Sequence, residues 1–290
     1  MHAPTPRVLR CGRFILQLGK PLIMGVVNVT PDSFSDGGRY LNPSAAIARA
    51  HALIVEGADI VDIGGESTRP GAVLVSAADE LARVLPVLEA LRDAPVPISV
   101  DTWKPEVMVA VLERGATMIN DVNALATPGA LDAVRESNCA ICLMHKKGDP
   151  RTMQTAPTYV DVVTEVRDFL GERVVAAETA GIARQRLVVD PGFGFGKTAV
   201  HNLQLLRELD SMHALGVPVM AGLSRKSLFG RITGRRVNER QAASVAAALL
   251  AVERGAALVR VHDVAATCDA LQVLSAVNDP DYRFNDESVQ

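Results

Sequence analysis

Eight short apolar runs recur along the chain, each ending in polar or charged residues and each followed by a stretch with helical spacing of apolar positions. The first four end at Asn28 after LIMGVVN, at Gly64, Gly65 and Glu66 after ADIVDI, at Asp101 after PISV, and at Asn120 and Asp121 after ATMI. The others end at His145 after CAICLM, at Asp190 after LVV, at Ser224, Arg225 and Lys226 after PVMAGL, and at Arg260 and His262 after AALV. Continuous apolar runs between amphipathic segments describe parallel strands covered by helices. A closed parallel barrel delivers the C-terminal end of every strand to one rim, so these scattered residues are predicted to meet in a single pocket.

Ahead of the first run, residues 7–18 alternate loosely around Gly12 and predict a short hairpin. Residues 1–20 are thus expected to form an extension with a hairpin capping the barrel, residues 21–278 the barrel itself, and residues 279–290 a polar tail. Helices are predicted over residues 44–56, 77–92, 105–114, 128–137, 160–180, 200–215, 240–255 and 264–277, with Ser44 as an N-cap, Gly57 as a terminator and Pro105 in a first turn. Two connections are long, VTPDSFSDGGRYLNPS and KKGDPRTMQTAPTY. Loops of that size inside a compact domain act as lids or binding loops.

At 290 residues the chain suits one barrel or two ordinary domains, and the even spacing of strand and helix signals favours one (β/α)8 TIM barrel of the α/β class. A content of 48% hydrophobic and 22% charged residues is enough for a large buried core. The formal charge of -3 argues against a nucleic-acid partner held by bulk electrostatics, so an anionic ligand needs a local basic cluster. No stretch reaches the roughly 18 uninterrupted apolar residues of a membrane span, and the N-terminal residues show no secretory pattern, so the expected location is cytoplasmic. Cys139 and Cys142 form a C-x-x-C beside an apolar run, where buried thiols are the simpler account than metal or redox work.

Three acids, Asp62, Asp101 and Asp190, stand in or at the ends of apolar strands, where an acid is costly unless paired or hydrogen-bonded. Structural salt bridges would account for any one of them. Together with Asn120 on the same rim they suit a ligand with several N–H donors, such as the edge of a heterocycle. Arg69, Arg225, Lys226, Arg260 and His262 follow different strands, which favours a convergent anion site over a solvated face. DPGFGFGKT has Pro191 where a phosphate-binding loop needs Gly, so it is expected to be a flexible rim loop presenting Phe193 or Phe195. Trp103 reads equally as a ligand contact or a packed loop anchor.

Taken together, MGVVNVTPDSFSDGG, DIVDIGGESTRPGA, ISVDTWKPEV, MINDVNAL, LMHKKGDPRTMQ, DPGFGFGK, GLSRKS and VRVHDV resemble the dihydropteroate synthase family, the folate-pathway sulfonamide target, in order and spacing. The resemblance implies condensation of 6-hydroxymethyl-7,8-dihydropterin diphosphate with p-aminobenzoate to give 7,8-dihydropteroate and pyrophosphate, with Mg2+ as cofactor and a homodimer as the assembly. It implies that Asp62, Asp101, Asn120, Met144, Asp190, Lys226 and Arg260 bind the pterin. By the same resemblance Asn28, Arg69, Arg260 and His262 take the pyrophosphate, with Asn28 also at the metal, and Phe34, Thr68, Pro70, Phe195 and Ser224 wall the p-aminobenzoate pocket. Asp101, Lys226, Arg260 and His262 are the residues implied to be catalytic.

Other classes with this pattern are a pterin-binding methyltransferase barrel and a noncatalytic pterin-binding paralogue. The STRPG and SRKS elements oppose the first, and retention of Asn28, Asp101, Lys226, Arg260 and His262 opposes the second. Trp103 and Val122-Asn123 depart from the family pattern on rim loops. The loops over residues 29–39 and 67–75 are expected to close when pyrophosphate and Mg2+ bind.

Overall fold

The computed structural model describes residues 6–29, 43–67, 74–148 and 152–283. A hairpin of β1 (Val8–Cys11) and β2 (Phe14–Gln17) precedes eight parallel strands: β3 (Leu22–Asn28), β4 (Ile60–Gly64), β5 (Ile98–Asp101), β6 (Met118–Asp121), β7 (Ala140–Met144), β8 (Leu187–Asp190), β9 (Met220–Ala221) and β10 (Leu258–Val261). Their order is β8-β7-β6-β5-β4-β3-β10-β9. The ring closes where Val189 bridges Val219, with the Val189 amide donating to Pro218 O at 3.0 Å. The architecture is the (β/α)8 barrel expected from the pattern.

The described helices are α1 (Pro43–Val55), α2 (Ala77–Ala90), α3 (Pro105–Glu113), α4 (Ala130–Arg135), α5 (Val162–Thr179), α6 (Ala199–Arg207), α7 (Ser227–Thr233), α8 (Gln241–Glu253) and α9 (Val264–Asn278). Alternation along each strand divides the apolar residues between two cores. Ile23, Val27, Val61, Ile63, Val100, Ile119, Leu143 and Val259 face outward and pack under the helices. Leu22, Met24, Ile60, Met118, Cys142, Val188, Met220 and Leu258 fill the interior.

The hairpin seals the opposite end from the rim. Leu9 and Cys11 join the interior cluster, and the Gly12 amide donates to Asn138 O at 2.9 Å. Gly12 turns at φ 60°, and a Cβ there would stand 2.8 Å from the Thr117 side chain, so both conformation and space require glycine.

Several boundaries differ from the sequence pattern. Ser44 lies inside α1 instead of capping it, whereas Gly57 terminates that segment at φ 101° as expected. The single helix expected over residues 200–215 divides into α6 and a 3-10 segment, Leu209–Leu215. Three residues per turn aligns Leu209 with Met212, and both are buried. The seventh barrel strand shortens to Met220–Ala221, because Pro218 has no N–H to offer the ladder. The short helix α7, with Gly230 inside it, was not anticipated. The tail beyond Arg283 lies outside the described residues.

Cys11, Cys139 and Cys142 are buried free thiols, and burial pushes Cys11 up to about 12. A thiol reagent is therefore expected to label Cys268, the partly exposed cysteine, before the other three, which should react only on unfolding. Mass spectrometry of the labelled native protein, with fast modification of Cys142 as the contrary result, checks this.

Candidate active site

The alternation that sends apolar residues into the barrel also sends the acids there. Asp62 lies two residues beyond interior Ile60, Asn120 beyond Met118, Asp190 beyond Val188 and Arg260 beyond Leu258. The ladder places Asp101 beside Asn120 and Gly64, and Met144 beside Asp190. Asp121, one residue on, faces the other way. Its oxygens accept the amides of Asn123 at 2.7 Å and Leu125 at 2.8 Å, which stabilises a turn in which Ala124 and Leu125 have φ of 50° and 56°.

Arg260 is the electrostatic centre. Its Nε donates to Asp62 Oδ2 at 2.6 Å and its Nη2 to Asp101 Oδ2 at 3.0 Å, while Asn120 Nδ2 donates to Asp62 Oδ2 at 3.1 Å. The second oxygens of both acids, Asp62 Oδ1 and Asp101 Oδ1, and Asn120 Oδ1 are buried with no protein donor. Three acceptors in that condition on adjacent strands suit a donor-rich ligand edge. Burial pushes Asp101 up to about 7 despite Arg260, with Asp62, Glu80 and Asp121 adding repulsion. Burial would lower Arg260, but Asp62 and Asp101 together raise it. Asp190 is raised by burial, partly offset by the Gly192 amide that donates to its Oδ1 at 2.7 Å.

Two rim residues of the basic set are held by neighbouring groups. Arg225 adopts φ 56° and its guanidinium grips Asp263, Nε to Oδ2 at 3.0 Å, so the basic set expected to converge on an anion loses this member. Ser244 Oγ accepts the Arg225 amide at 2.9 Å, and Arg240 Nη1 donates to Arg225 O at 3.2 Å. His262 Nδ1 lies 3.0 Å from Ser224 Oγ, which also accepts the His262 amide at 3.2 Å, and Arg49 fixes the His262 carbonyl at 2.9 Å. Ser224 therefore orients His262. Arg69, Phe34, Thr68 and Pro70 lie outside the described residues, as do most positions of the two expected closing loops.

Trp103 is a loop anchor: its indole N–H donates to Glu66 Oε2 at 3.0 Å. The buried Lys104 ammonium joins the same oxygen at 2.8 Å and also pairs with Glu80, while Glu66 Oε1 accepts the Val75 amide at 2.8 Å. Nothing in the spacing of these residues along the chain announces the cluster. The other departure, Asn123, serves its own turn through Thr127 at 3.1 Å.

Between the loop that follows β8 and the residues from Leu223 to Arg231 lies a cavity of about 110 Å³. Phe193, Leu223 and Leu228 supply apolar wall, and Lys226, Ser227 and Arg231 supply polar and basic groups. Lys226 Nζ stands 4.4 Å from the centre of the Phe195 ring. Ser227 and Arg231 escaped the sequence pattern because α7 spans only two turns, although their spacing of four on a helix would place them on one face. The geometry is thus a donor-seeking pocket next to a mixed, cation-bearing one.

The sequence pattern of the pterin binding enzyme family matches residues 24–262, the span from β3 to the end of the last barrel strand. Fold and site together define a barrel enzyme that binds a pterin. Dihydropteroate synthase of Neisseria meningitidis serogroup B is 52% identical over 277 residues, covering 93% of this chain and 97% of that protein. The Xanthomonas albilineans dihydropteroate synthase structure with 4-aminobenzoic acid aligns with a TM-score of 0.89 at 57% identity, covering 94% of this chain and 98% of the other. The Burkholderia cenocepacia enzyme complexed with 7,8-dihydropteroate aligns with a TM-score of 0.85 at 51% identity, covering 96% and 98%. The chain belongs to the dihydropteroate synthase family and is an enzyme, a transferase.

Asp101→Asn and Lys226→Ala are each expected to remove a charge-assisted hydrogen bond to ligand of ~1.5 to 3 kcal/mol, lowering kcat/KM by roughly ten- to a hundred-fold in a folded protein. Steady-state kinetics showing wild-type turnover would contradict this. The raised Asp101 also has a stability consequence. Between its usual value near 3.8 and about 7 the folded state binds more protons than the unfolded state, so its contribution to stability falls as pH rises through that window. Denaturant midpoints should therefore shift in favour of Asp101→Asn, relative to wild type, between pH 4 and pH 7.

Proposed function

We infer that the strand-end pocket condenses 6-hydroxymethyl-7,8-dihydropterin diphosphate with p-aminobenzoate to give 7,8-dihydropteroate and pyrophosphate. The observation that carries this reading is the trio of buried acceptors without protein donors, on Asp62, Asp101 and Asn120. The amino and ring N–H groups of a pterin supply the missing donors along one edge. Asp190 and Lys226 frame the ring, and Met144 lies beside Asp190 in the ladder. The relatives with bound p-aminobenzoate and 7,8-dihydropteroate support the substrate pair.

Electrostatics favours departure of pyrophosphate. The carboxyl groups of Asp62, Asp101 and Asp190 face Arg260 and Lys226, and burial raises Asp101 and Asp190, so positive charge developing on the pterin methylene in a water-poor site favours their ionised forms and is stabilised by them. Arg260 commits two described N–H donors to carboxylates, leaving others of its five for phosphate oxygens, and His262 stands two residues further on the same strand face. The carbon–oxygen bond to pyrophosphate breaks, the arylamine nitrogen forms the new bond to the methylene, and the amine proton passes to solvent or to pyrophosphate. No enzyme nucleophile is required.

The cation-bearing cavity, part apolar and part polar, fits p-aminobenzoate. Phe193, Leu223 and Leu228 match its ring, while Ser227 and Arg231 match its carboxylate, and Lys226 borders both pockets. Arg69, Thr68, Pro70 and Phe34 complete the proposal as family-implied contacts, with Ser224 acting through His262.

A single magnesium ion suits the remaining donor. Among the described residues no group of three His, Cys, Asp or Glu could hold a metal, but Asn28 offers an amide oxygen near Gly64 at the mouth. Mg2+ commonly takes few protein oxygens and completes its shell with water and substrate phosphates. It would supply charge neutralisation to the leaving pyrophosphate. A homodimer is supported by apolar residues left outward on the neighbouring helices α8 and α9, namely Leu250 at 41%, Val273 at 64% and Val277 at 76% exposure. A cytoplasmic location is supported by four unpaired cysteines. No described helix is long and apolar enough to cross a membrane.

Pyrophosphate release is expected to require both p-aminobenzoate and Mg2+ for full rate, and a colorimetric phosphate assay after pyrophosphatase treatment tests the reaction. Calorimetry should show Mg2+ tightening the pterin diphosphate far more than the corresponding pterin alcohol. Equal tightening would separate the metal from the pyrophosphate.

A further inference from the structure

The loop from Asp190 to Thr198, whose glycines predict flexibility, is braced in the structure around one buried lysine. Lys197 is 2% exposed. Its Nζ lies 2.8 Å from His145 Nδ1, 3.0 Å from Gly192 O and 3.1 Å from Phe195 O. The three nearest acceptors match the donors of an ammonium, with His145 O further off at 3.5 Å, while burial, partly offset by Asp190, pulls Lys197 well below its usual range. Burial, reinforced by the nearby Lys197 charge, pushes His145 down to about 3, which keeps its ring neutral and able to accept.

The rest of the loop is equally constrained. Asp190 Oδ1 and Asn202 Oδ1 accept the amides of Gly192 and Gly194, each at 2.7 Å, and the Tyr159 hydroxyl donates to Gly196 O at 2.9 Å. A Cβ on Gly192 or Gly196 would collide with the backbone of His145 or Lys147. The loop therefore lies flat on the end of β7, and the Phe195 ring, whose own carbonyl is one of the three Lys197 acceptors, is presented to Lys226.

We propose that Lys197 is a positioning residue for the arylamine half of the reaction: by tying Phe195 and Gly192 to His145 it sets the Phe195 ring and, through it, Lys226 at the cavity wall. The proposal rests on the placement of p-aminobenzoate in that cavity. Lys197 is distinct from the pterin-binding Lys226, and it acts through the loop backbone instead of touching the reacting atoms. Lys197→Met retains the length of the stem and deletes every donor. It should raise KM for p-aminobenzoate ten-fold or more while raising the calorimetric Kd for pterin diphosphate no more than about three-fold, since Lys226 also borders the pterin, and it should accelerate hydrogen exchange across residues 192–196.

Should Lys197→Met fail to fold, His145→Leu removes one acceptor and leaves the lysine in place. It is expected to raise the same KM about three-fold, and His145→Gln, which restores an acceptor, to return it towards wild type. Faster exchange with an unchanged KM in Lys197→Met, or an equal loss of affinity for both substrates, would overturn the role of Lys197. A separate arm uses the wild-type enzyme: p-aminobenzoate with pyrophosphate and Mg2+ should protect residues 223–231 from exchange. Lack of protection there would overturn the cavity placement itself, whereas protection together with an unchanged KM in Lys197→Met would overturn the positioning role alone.

Discussion

The site depends on keeping three carboxylates inside an apolar barrel. Desolvating an isolated carboxylate costs several kcal/mol even after relaxation, so Asp62 and Asp101 are tenable because a single guanidinium, Arg260, bridges them. That compensation is incomplete. Asp101 remains raised to about 7, and the outer oxygens of both acids keep no protein donor. Each such acceptor carries a desolvation cost of ~1 to 3 kcal/mol, which a ligand edge bearing N–H groups would relieve on binding. Stability is thus held below its attainable value where recognition is needed.

The same arrangement, a charged side chain spanning separate elements, recurs around the rim. Lys104 links Glu66 after β4 to Glu80 on α2, Lys197 links the β8 loop to β7, and Arg225 links the end of the seventh barrel strand to Asp263 after β10. Loops of a barrel enzyme have no ladder to hold them, and these contacts supply the rigidity that a preorganised electrostatic site requires. Arg225 shows the cost most directly, since a non-glycine residue at φ 56° persists only where its surroundings over-determine it. Ser244, Arg240 and Asp263 do so from three directions.

Much of the chemistry was legible in the chain because strand periodicity is a local property. Asp62, Asp101, Asn120, Asp190, Arg260 and His262 each follow an apolar run, and the pleat alone sends them to the interior or the mouth. The pattern failed where geometry is not local. Arg225 looked like an anion ligand until Asp263, distant in sequence, was found to hold it. For Trp103 the chain leaves ligand contact and loop anchor open, and the acceptance of its indole N–H by Glu66 makes it an anchor. DPGFGFGKT looked flexible from its glycines, but those glycines let the loop lie against β7, where Lys197 fastens it.

The sequence by itself determined the barrel, the rim on which polar strand ends gather and the kind of ligand they suit, because the alternation of side chains and the direction of parallel strands follow from the backbone. It did not determine which charges are spent on the protein and which remain for a substrate. Only the tertiary structure decided that, by setting distances between residues far apart in the chain, such as Arg260 and Asp62, and electrostatic energy depends on those distances and on burial.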